Sequence, residues 1–145
     1  MNRARRLEPV RRLAEEKERH LAQNLATFER RVAEAEAKLS ELTYYKQDYE
    51  KRFSSRAAQG IGATELRDYQ AFLARLGEAI RQQTAIVERA RMDRDLQLAR
   101  WRDAAQRTKA VEHVIERWRV EERRAHERRE QRETDERAQR RVQSS

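Results

Sequence analysis

Residues 60–87 read GIGATELRDYQAFLARLGEAIRQQTAIV, and they contain both the main break in the chain and the start of its longest apolar repeat. From Leu66 to Ala125, thirteen of eighteen positions spaced alternately three and four apart are apolar. This spacing follows the turn of a helix and predicts one long helix with a narrow seam, which is typical of a coiled coil. The eighteen positions are Leu66, Tyr69, Leu73, Leu76, Ile80, Gln83, Val87, Ala90, Arg94, Gln97, Trp101, Ala104, Thr108, Val111, Ile115, Trp118, Glu122 and Ala125.

A shorter seam precedes the break and predicts a first helix. Pro9 suits the opening turn of this helix, because the donor that proline lacks would have no partner there. Lys46 is the one polar member of the seam, and its stem can lie along the apolar surface while its ammonium stays in water. The seam consists of Leu21, Leu25, Phe28, Val32, Ala35, Leu39, Leu42, Lys46, Tyr49 and Phe53.

Gly60 and Gly62 mark the interruption between the two seams. We expect Gly60 to take the left-handed conformation that ends a helix, and Thr64 to cap the next helix. Because the connection is short, the helices must return antiparallel, and facing residues should have numbers that sum to about 121.

The fold class that follows is all-α, a long antiparallel two-helix coiled-coil hairpin with an overhanging charged C-terminal helix. The chain is expected to form a single coiled-coil domain over residues 1–145. We place helix one at about 8–58, the turn at about 59–64, helix two at about 65–125 and the charged tail at about 126–145.

The composition is that of a soluble helical rod with little interior: 37% hydrophobic, 41% charged and no cysteine. The net charge is +8, and 29 of the 34 cations are arginines. Half of this excess lies in residues 1–12, which carry Arg3, Arg5, Arg6, Arg11 and Arg12 against Glu8. Elsewhere the two signs are mixed, which favours a solvated helix over a nucleic-acid binder, since a binder gathers its cations on one face.

The sequence contains no arrangement that points to catalysis. His20, His113 and His126 are isolated from one another, and no glycine-rich phosphate loop or metal-binding spacing occurs. A two-helix rod also lacks a dry pocket in which a carboxyl could become a general acid. We therefore expect no enzyme activity, no catalytic residues, no cofactor and no metal.

A cluster of aromatic and aliphatic residues near the turn is the strongest candidate for a binding surface. Tyr45 and Phe72 each fall one position off the seams, so both should be partly exposed and able to anchor a partner. The alternative, that they are simply wide seam residues, remains open. The pairing rule brings six residues together: Leu42 with Ala79, Tyr45 with Leu76, and Tyr49 with Phe72.

Trp118 lies where helix one should already have ended, because Pro9 is expected to face the region of Glu112. It either packs against Leu7 and Val10 as a cap or contacts another protein. Beyond it, residues 119–141 hold nine arginines and seven acids. Pairs four residues apart stabilise such a helix by only about 0.2–0.5 kcal/mol each, so the tail is expected to fray alone and to order on a partner.

Three segments, LEPV (7–10), AEAKLSEL (35–42) and DYQAFLARL (68–76), resemble the flagellar export protein FliJ family. Tyr45 and Tyr49 after the second segment, and Ile80 and Gln83 after the third, add to the likeness. The charged C-terminal stretch is similar as well, so the resemblance covers nearly the whole chain.

This resemblance implies a component of the flagellar type III export apparatus, cytoplasmic and peripheral on the inner membrane at the basal body, with a role in motility and chemotaxis. Such proteins are stalk-like coiled coils whose terminal ends enter the export ATPase ring, and they also handle export chaperones. Arg3, Arg5, Arg6, Arg11, Arg12 and Trp118 are the candidates for the ring. A patch on the hairpin would bind the membrane export gate, and on matching positions it consists of Leu42, Tyr45, Tyr49, Phe72, Leu76 and Ala79.

Two other interpretations compete with this one. The first is a basic coiled coil that binds nucleic acid or an anionic membrane surface, whose affinity would fall steeply with salt. The second is a scaffold in which hairpins assemble into larger bundles. With the stalk interpretation, no nucleic acid is expected as a partner.

Overall fold

The computed structural model describes residues 2–144 and contains three helices in that range. A single turn, α1, spans Arg3–Arg6, and the two long helices are α2, Glu8–Ala57, and α3, Ala63–Ser144. The long helices have 50 and 82 residues, and no strand occurs among the described residues. They pack against each other as a hairpin, which confirms the all-α fold expected from the two seams.

The seam positions read from the sequence are the ones that α2 and α3 bury against each other. All ten positions of the first seam are buried or half-buried, and so are seventeen of the eighteen in the second. The exception is Leu66, which is 40% exposed beside the turn. Polar members are buried too: Gln83, Gln97 and Thr108. The three-and-four periodicity therefore decided which side of each helix faces the other.

The turn between α2 and α3 is short and depends on one glycine. Gly60 has a φ of 93°, in the left-handed region that favours glycine, as the sequence predicts. Its amide donates to the carbonyl of Ala57 at 3.1 Å, which helps to end α2. The predicted cap at Thr64 is wrong, because α3 already begins at Ala63 and the carbonyl of Gly62 accepts from the amide of Leu66 at 3.1 Å.

Two compact units can be distinguished, and the second consists of residues Ala22–Arg100. Within it the facing residues run in opposite directions along α2 and α3. The side chain of Gln83 donates to the carbonyl of Ala35 at 3.0 Å, and Arg91 pairs with Glu36 at 2.9 Å. This unit contains the turn and all the contacts between two aromatic rings that are found in residues 2–144.

The first unit consists of the described parts of Met1–Leu21 and Trp101–Ser145. Here α1 extends the packing beyond Pro9: Ala4 is 1% exposed, and its amide lies 3.5 Å from a carboxylate oxygen of Glu122. The side chain of Asn2 caps α1 by accepting from the amide of Arg5. Residues 3–6 therefore pack along α3 beyond the point where helix one was expected to end, and the guanidinium of Arg3 lies over the ring of Trp118.

The charged C-terminal segment is helical as far as Ser144, and every described residue from His126 onward is exposed. Local pairs follow the helix, among them His126 with Glu130 at 3.0 Å and Gln131 with Asp135 at 3.3 Å. Within residues 2–144, no helix has a segment that is both long enough and hydrophobic enough to cross a bilayer.

Candidate partner-binding surfaces

The aromatic residues near the turn form one continuous cluster between α2 and α3. The ring of Tyr49 lies 4.5 Å from that of Phe72, and Tyr45 lies 6.3 Å from the same ring, measured between centroids. These separations lie within or close to the range in which tilted aromatic pairs attract each other. The structure thus brings together the three aromatic members of the six-residue set, which we call the Tyr45 patch: Leu42, Tyr45, Tyr49, Phe72, Leu76 and Ala79.

The members of the Tyr45 patch differ strongly in how far they reach the surface. Tyr45 is 53% exposed, whereas Leu76 is only 8% exposed and is part of the core. Leu42, Tyr49, Phe72 and Ala79 are half-buried. Tyr45 is therefore the side chain of this set that a partner can reach most fully.

Two further aromatics, Phe53 and Tyr69, belong to the cluster, although the sequence indicated them only as seam residues. Phe53 and Tyr69 stack with centroids 3.4 Å apart and planes 6° from parallel, and Tyr49 stacks on Tyr69 at 5.4 Å. The numbers of Phe53 and Tyr69 sum to 122, one more than the pairing rule gives. The pair thus fits the expected sum of about 121, and the pairing rule could have indicated it.

Burial in the cluster raises the pKa of the Tyr69 phenol above its ordinary value of 10.0, and the nearby Glu50 and Tyr49 add to the rise. Each of these causes disfavours the phenolate, the first by desolvation and the others by negative charge. The phenol of Tyr69 therefore stays protonated and uncharged, which suits a side chain that packs against Phe53 and Tyr49.

Lys38 and Gln83, which flank the Tyr45 patch, differ in their exposure. Gln83 is 5% exposed, and its amide is occupied by the carbonyl of Ala35. Lys38, by contrast, is exposed. Gln83 is thus a packing residue, and Lys38 is the accessible polar group beside the cluster.

The basic residues near the N-terminus lie in the first unit, where Arg3 contacts α3 and Arg11 contacts Glu8. The guanidinium of Arg3 lies 5.4 Å from the centroid of the half-buried Trp118 ring, so a cation covers this tryptophan. Glu8 forms two ion pairs, one with Arg11 at 2.8 Å and one with Arg119 at 2.9 Å. The Nε atom of Arg11 is buried and has no hydrogen-bond partner.

Arg5, Arg6 and Arg12 complete the set of ring candidates, and all three are exposed. Arg3 is exposed as well, although its guanidinium covers the Trp118 ring, whereas Arg11 and Trp118 are half-buried. Among residues 2–144, no group of three or more histidine, cysteine or acidic side chains is arranged to hold a metal ion.

The fold and these surfaces define a class of protein: a helical hairpin whose distinctive features are exposed aromatic and basic side chains. Residues 3–145 match the family model described as the flagellar FliJ protein, which is essentially the whole chain. The chain belongs to the flagellar FliJ protein family, as the three matching segments indicated. Membership indicates a component of the flagellar export apparatus that interacts with other parts of it, and the family is structural rather than enzymatic. Searches of curated proteins and of solved structures find no match.

Proposed function

We propose that this protein is a stalk in the export ATPase ring, which it links to the membrane export gate and to export chaperones. In this role it is cytoplasmic and peripheral on the inner membrane at the basal body, and the Tyr45 patch binds the gate. The observation that carries the proposal is the exposure of Tyr45, 53%, on a cluster whose other rings are half-buried. A tyrosine held against a packed aromatic surface is a typical anchor of protein interfaces, because little conformational entropy is lost when it binds.

The ring contact that we propose is made by Arg3, Arg5, Arg6, Arg11, Arg12 and Trp118. The unit that contains them holds 20 lysine and arginine residues against 14 aspartate and glutamate residues, an excess of six positive charges. An excess of this kind speeds entry into an acidic lumen more than it strengthens the final complex.

The gate contact is tested with the cytoplasmic domain of the export gate and two single variants of the full chain. Tyr45→Ala should weaken binding by about tenfold or more, because it removes the exposed ring of the cluster. Tyr44→Ala is the matched control, since this neighbouring tyrosine is 70% exposed and contributes to none of the ring contacts in the cluster. Circular dichroism should show the same helicity for both variants.

Equal losses for the two variants, or no loss for either, would remove the Tyr45 patch from the gate contact. A loss of helicity in Tyr45→Ala would identify Tyr45 as a packing residue instead.

The ring contact is tested by charge reversal at Arg5 and Arg12, two exposed arginines of the ring set. Arg5→Glu with Arg12→Glu should slow association with the ATPase ring, most strongly at low salt. If the wild-type chain instead binds nucleic acid, with an affinity that falls steeply as salt rises, the basic coiled-coil interpretation replaces the stalk.

A further inference from the structure

An apolar groove runs between α2 and α3 in the unit formed by the described parts of Met1–Leu21 and Trp101–Ser145. Val10, Leu13 and Ala14 line it from α2, at the i, i+3 and i+4 positions of one helix face. Ala110 and Val111 line it from α3. Val10 is 47% exposed and Leu13 is 68% exposed, so neither is used fully by the hairpin. We call this surface the Leu13 groove.

The side of α2 that the hairpin does use in this unit carries charged residues. From Leu21 toward the N-terminus, the positions spaced alternately three and four apart are all buried or half-buried. They are Glu18, Ala14 and Arg11 on α2, followed by Leu7 and Ala4 before it. Arg11 is half-buried, with its Nε atom buried and without a hydrogen-bond partner, whereas Leu13, two residues later, is 68% exposed. Because α2 is one uninterrupted helix and the seam spacing continues along it, Arg11 and Leu13 stay on different sides of the helix.

This arrangement leaves the better packing residues free for a third element. Burying a leucine stabilises a complex, whereas burying the Nε atom of Arg11 without a hydrogen-bond partner costs free energy, even though the same guanidinium pairs with Glu8. Apolar residues at i, i+3 and i+4 on the α2 wall, together with Ala110 and Val111 on the α3 wall, match the apolar face of an amphipathic helix. A helix laid there would complete a three-helix packing that the hairpin begins.

The charge of the surroundings selects the kind of helix. The unit has an excess of six positive charges, and the groove itself is bordered by Lys17 and Arg107 against Glu16. A basic helix would meet like charge along this surface, whereas an acidic one would find complementary charge.

We propose that the Leu13 groove is a docking site for an acidic amphipathic helix of a partner protein. The helix inserts aliphatic side chains between Val10, Leu13 and Val111, and its carboxylates lie along Lys17 and Arg107. The site adjoins the proposed ring contact, since Arg11 and Arg12 lie between Val10 and Leu13 in the sequence, but neither proposed contact uses Val10, Leu13 or the α3 residues of the groove. Its test is therefore independent of theirs.

The test measures how the full chain binds a labelled designed peptide of about three heptads, by fluorescence anisotropy at about 150 mM salt. The peptide has leucine at positions a and d, glutamate at e and g, and alanine or glutamine elsewhere. One control peptide has lysine at e and g, and another has the acidic composition in scrambled order. The chain is used as wild type, as Leu13→Gln and as Leu96→Gln, a leucine of the other unit that is 52% exposed.

We expect saturable binding of the acidic peptide, about tenfold or more weaker for Leu13→Gln and unchanged for Leu96→Gln. The lysine and scrambled peptides should not bind detectably. Because Leu13 is 68% exposed, Leu13→Gln should keep the wild-type helicity.

Several results would overturn the proposal. Equal binding of the scrambled peptide would mean that charge alone drives association, and equal losses in both variants would mean that the peptide does not occupy the groove. No saturable binding to the wild type would also reject it. Self-association of the free chain that disappears in Leu13→Gln, measured by sedimentation, would assign the groove to a second copy.

Discussion

Gln83 donates a buried hydrogen bond across the helix pair to the main-chain carbonyl of Ala35, with 3.0 Å between Nε2 and oxygen. Both residues lie in the seams, and Gln83 is 5% exposed. A polar seam residue with a partner on the opposite helix favours one axial alignment, because any slip leaves its amide buried and unpaired. This contact therefore fixes how α2 and α3 are aligned beside the Tyr45 patch.

Gln83→Ala should lower the free energy of unfolding by about 1–2 kcal/mol, from the lost hydrogen bond and the space left behind. Urea unfolding followed by circular dichroism measures the change. Gln82→Ala is the matched control, since Gln82 is exposed, and it should stay within about 0.5 kcal/mol of wild type. Similar values for the two variants would show that Gln83 does not contribute to the alignment.

Gly60→Ala should destabilise the hairpin by about 1 kcal/mol, because a side chain is strained at a φ of 93°. Space is not the cause, since a Cβ atom at Gly60 would have no neighbour within 4 Å. Gly62 has the same open surroundings without the left-handed φ, so Gly62→Ala should be neutral or slightly stabilising. Thermal melts of both variants separate backbone strain from crowding, and a Gly60→Ala melt that matches wild type would contradict the strained turn.

Arg3→Ala should expose the ring of Trp118, over which the guanidinium lies at 5.4 Å. The contact is worth about 0.5–1 kcal/mol at a partly exposed site. Acrylamide quenching of tryptophan emission measures it, in a Trp101→Phe background so that only Trp118 reports. Quenching should rise in Arg3→Ala and stay constant in Arg5→Ala. Unchanged quenching in Arg3→Ala would mean that Arg3 does not cover the ring in solution.

The phenol of Tyr69 gives the hairpin a specific response to alkaline pH. Its pKa is raised in the folded state by burial, with Glu50 and Tyr49 adding to the rise, so the unfolded chain loses this proton first. Stability is therefore unaffected below the unfolded value of 10.0 and falls as pH rises from there through the folded-state pKa. Tyr69→Phe should show a smaller loss of stability in this window than wild type. Urea midpoints measured on either side of pH 10.0 test this, and parallel losses in both proteins would exclude the Tyr69 contribution.

The burial expected from the sequence agrees best with the structure along the two seams. Leu21 through Phe53 on α2 and Tyr69 through Ala125 on α3 are buried or half-buried at every seam position, including Lys46, Arg94 and Glu122. The left-handed glycine at the turn and the start of α2 at Glu8 were also expected from the sequence. The grouping of Tyr45 with Tyr49 and Phe72 followed from the pairing rule, and the rings are in contact range.

Other features depended on how the two helices meet. The numbers of Gln83 and Ala35 sum to 118, and those of Arg91 and Glu36 to 127, so contacts scatter by several residues around the expected 121. The rule also did not foresee that α1 brings Arg3 to Trp118. The seam read from the sequence began at Leu21, so it did not place Arg11 among the half-buried residues or Leu13 at the surface.

The sequence by itself determined the two helices, the glycine that separates them and the face that each one buries. It could do so because helical periodicity and left-handed glycine conformations are local properties of the chain. Only the tertiary structure decided which side chains touch across the pair and how far each one reaches the surface, as with Tyr45 at 53% exposed and Leu13 at 68% exposed. These outcomes depend on the axial offset and rotation between two helices, and a displacement of a single residue changes the neighbours of every side chain along the seam.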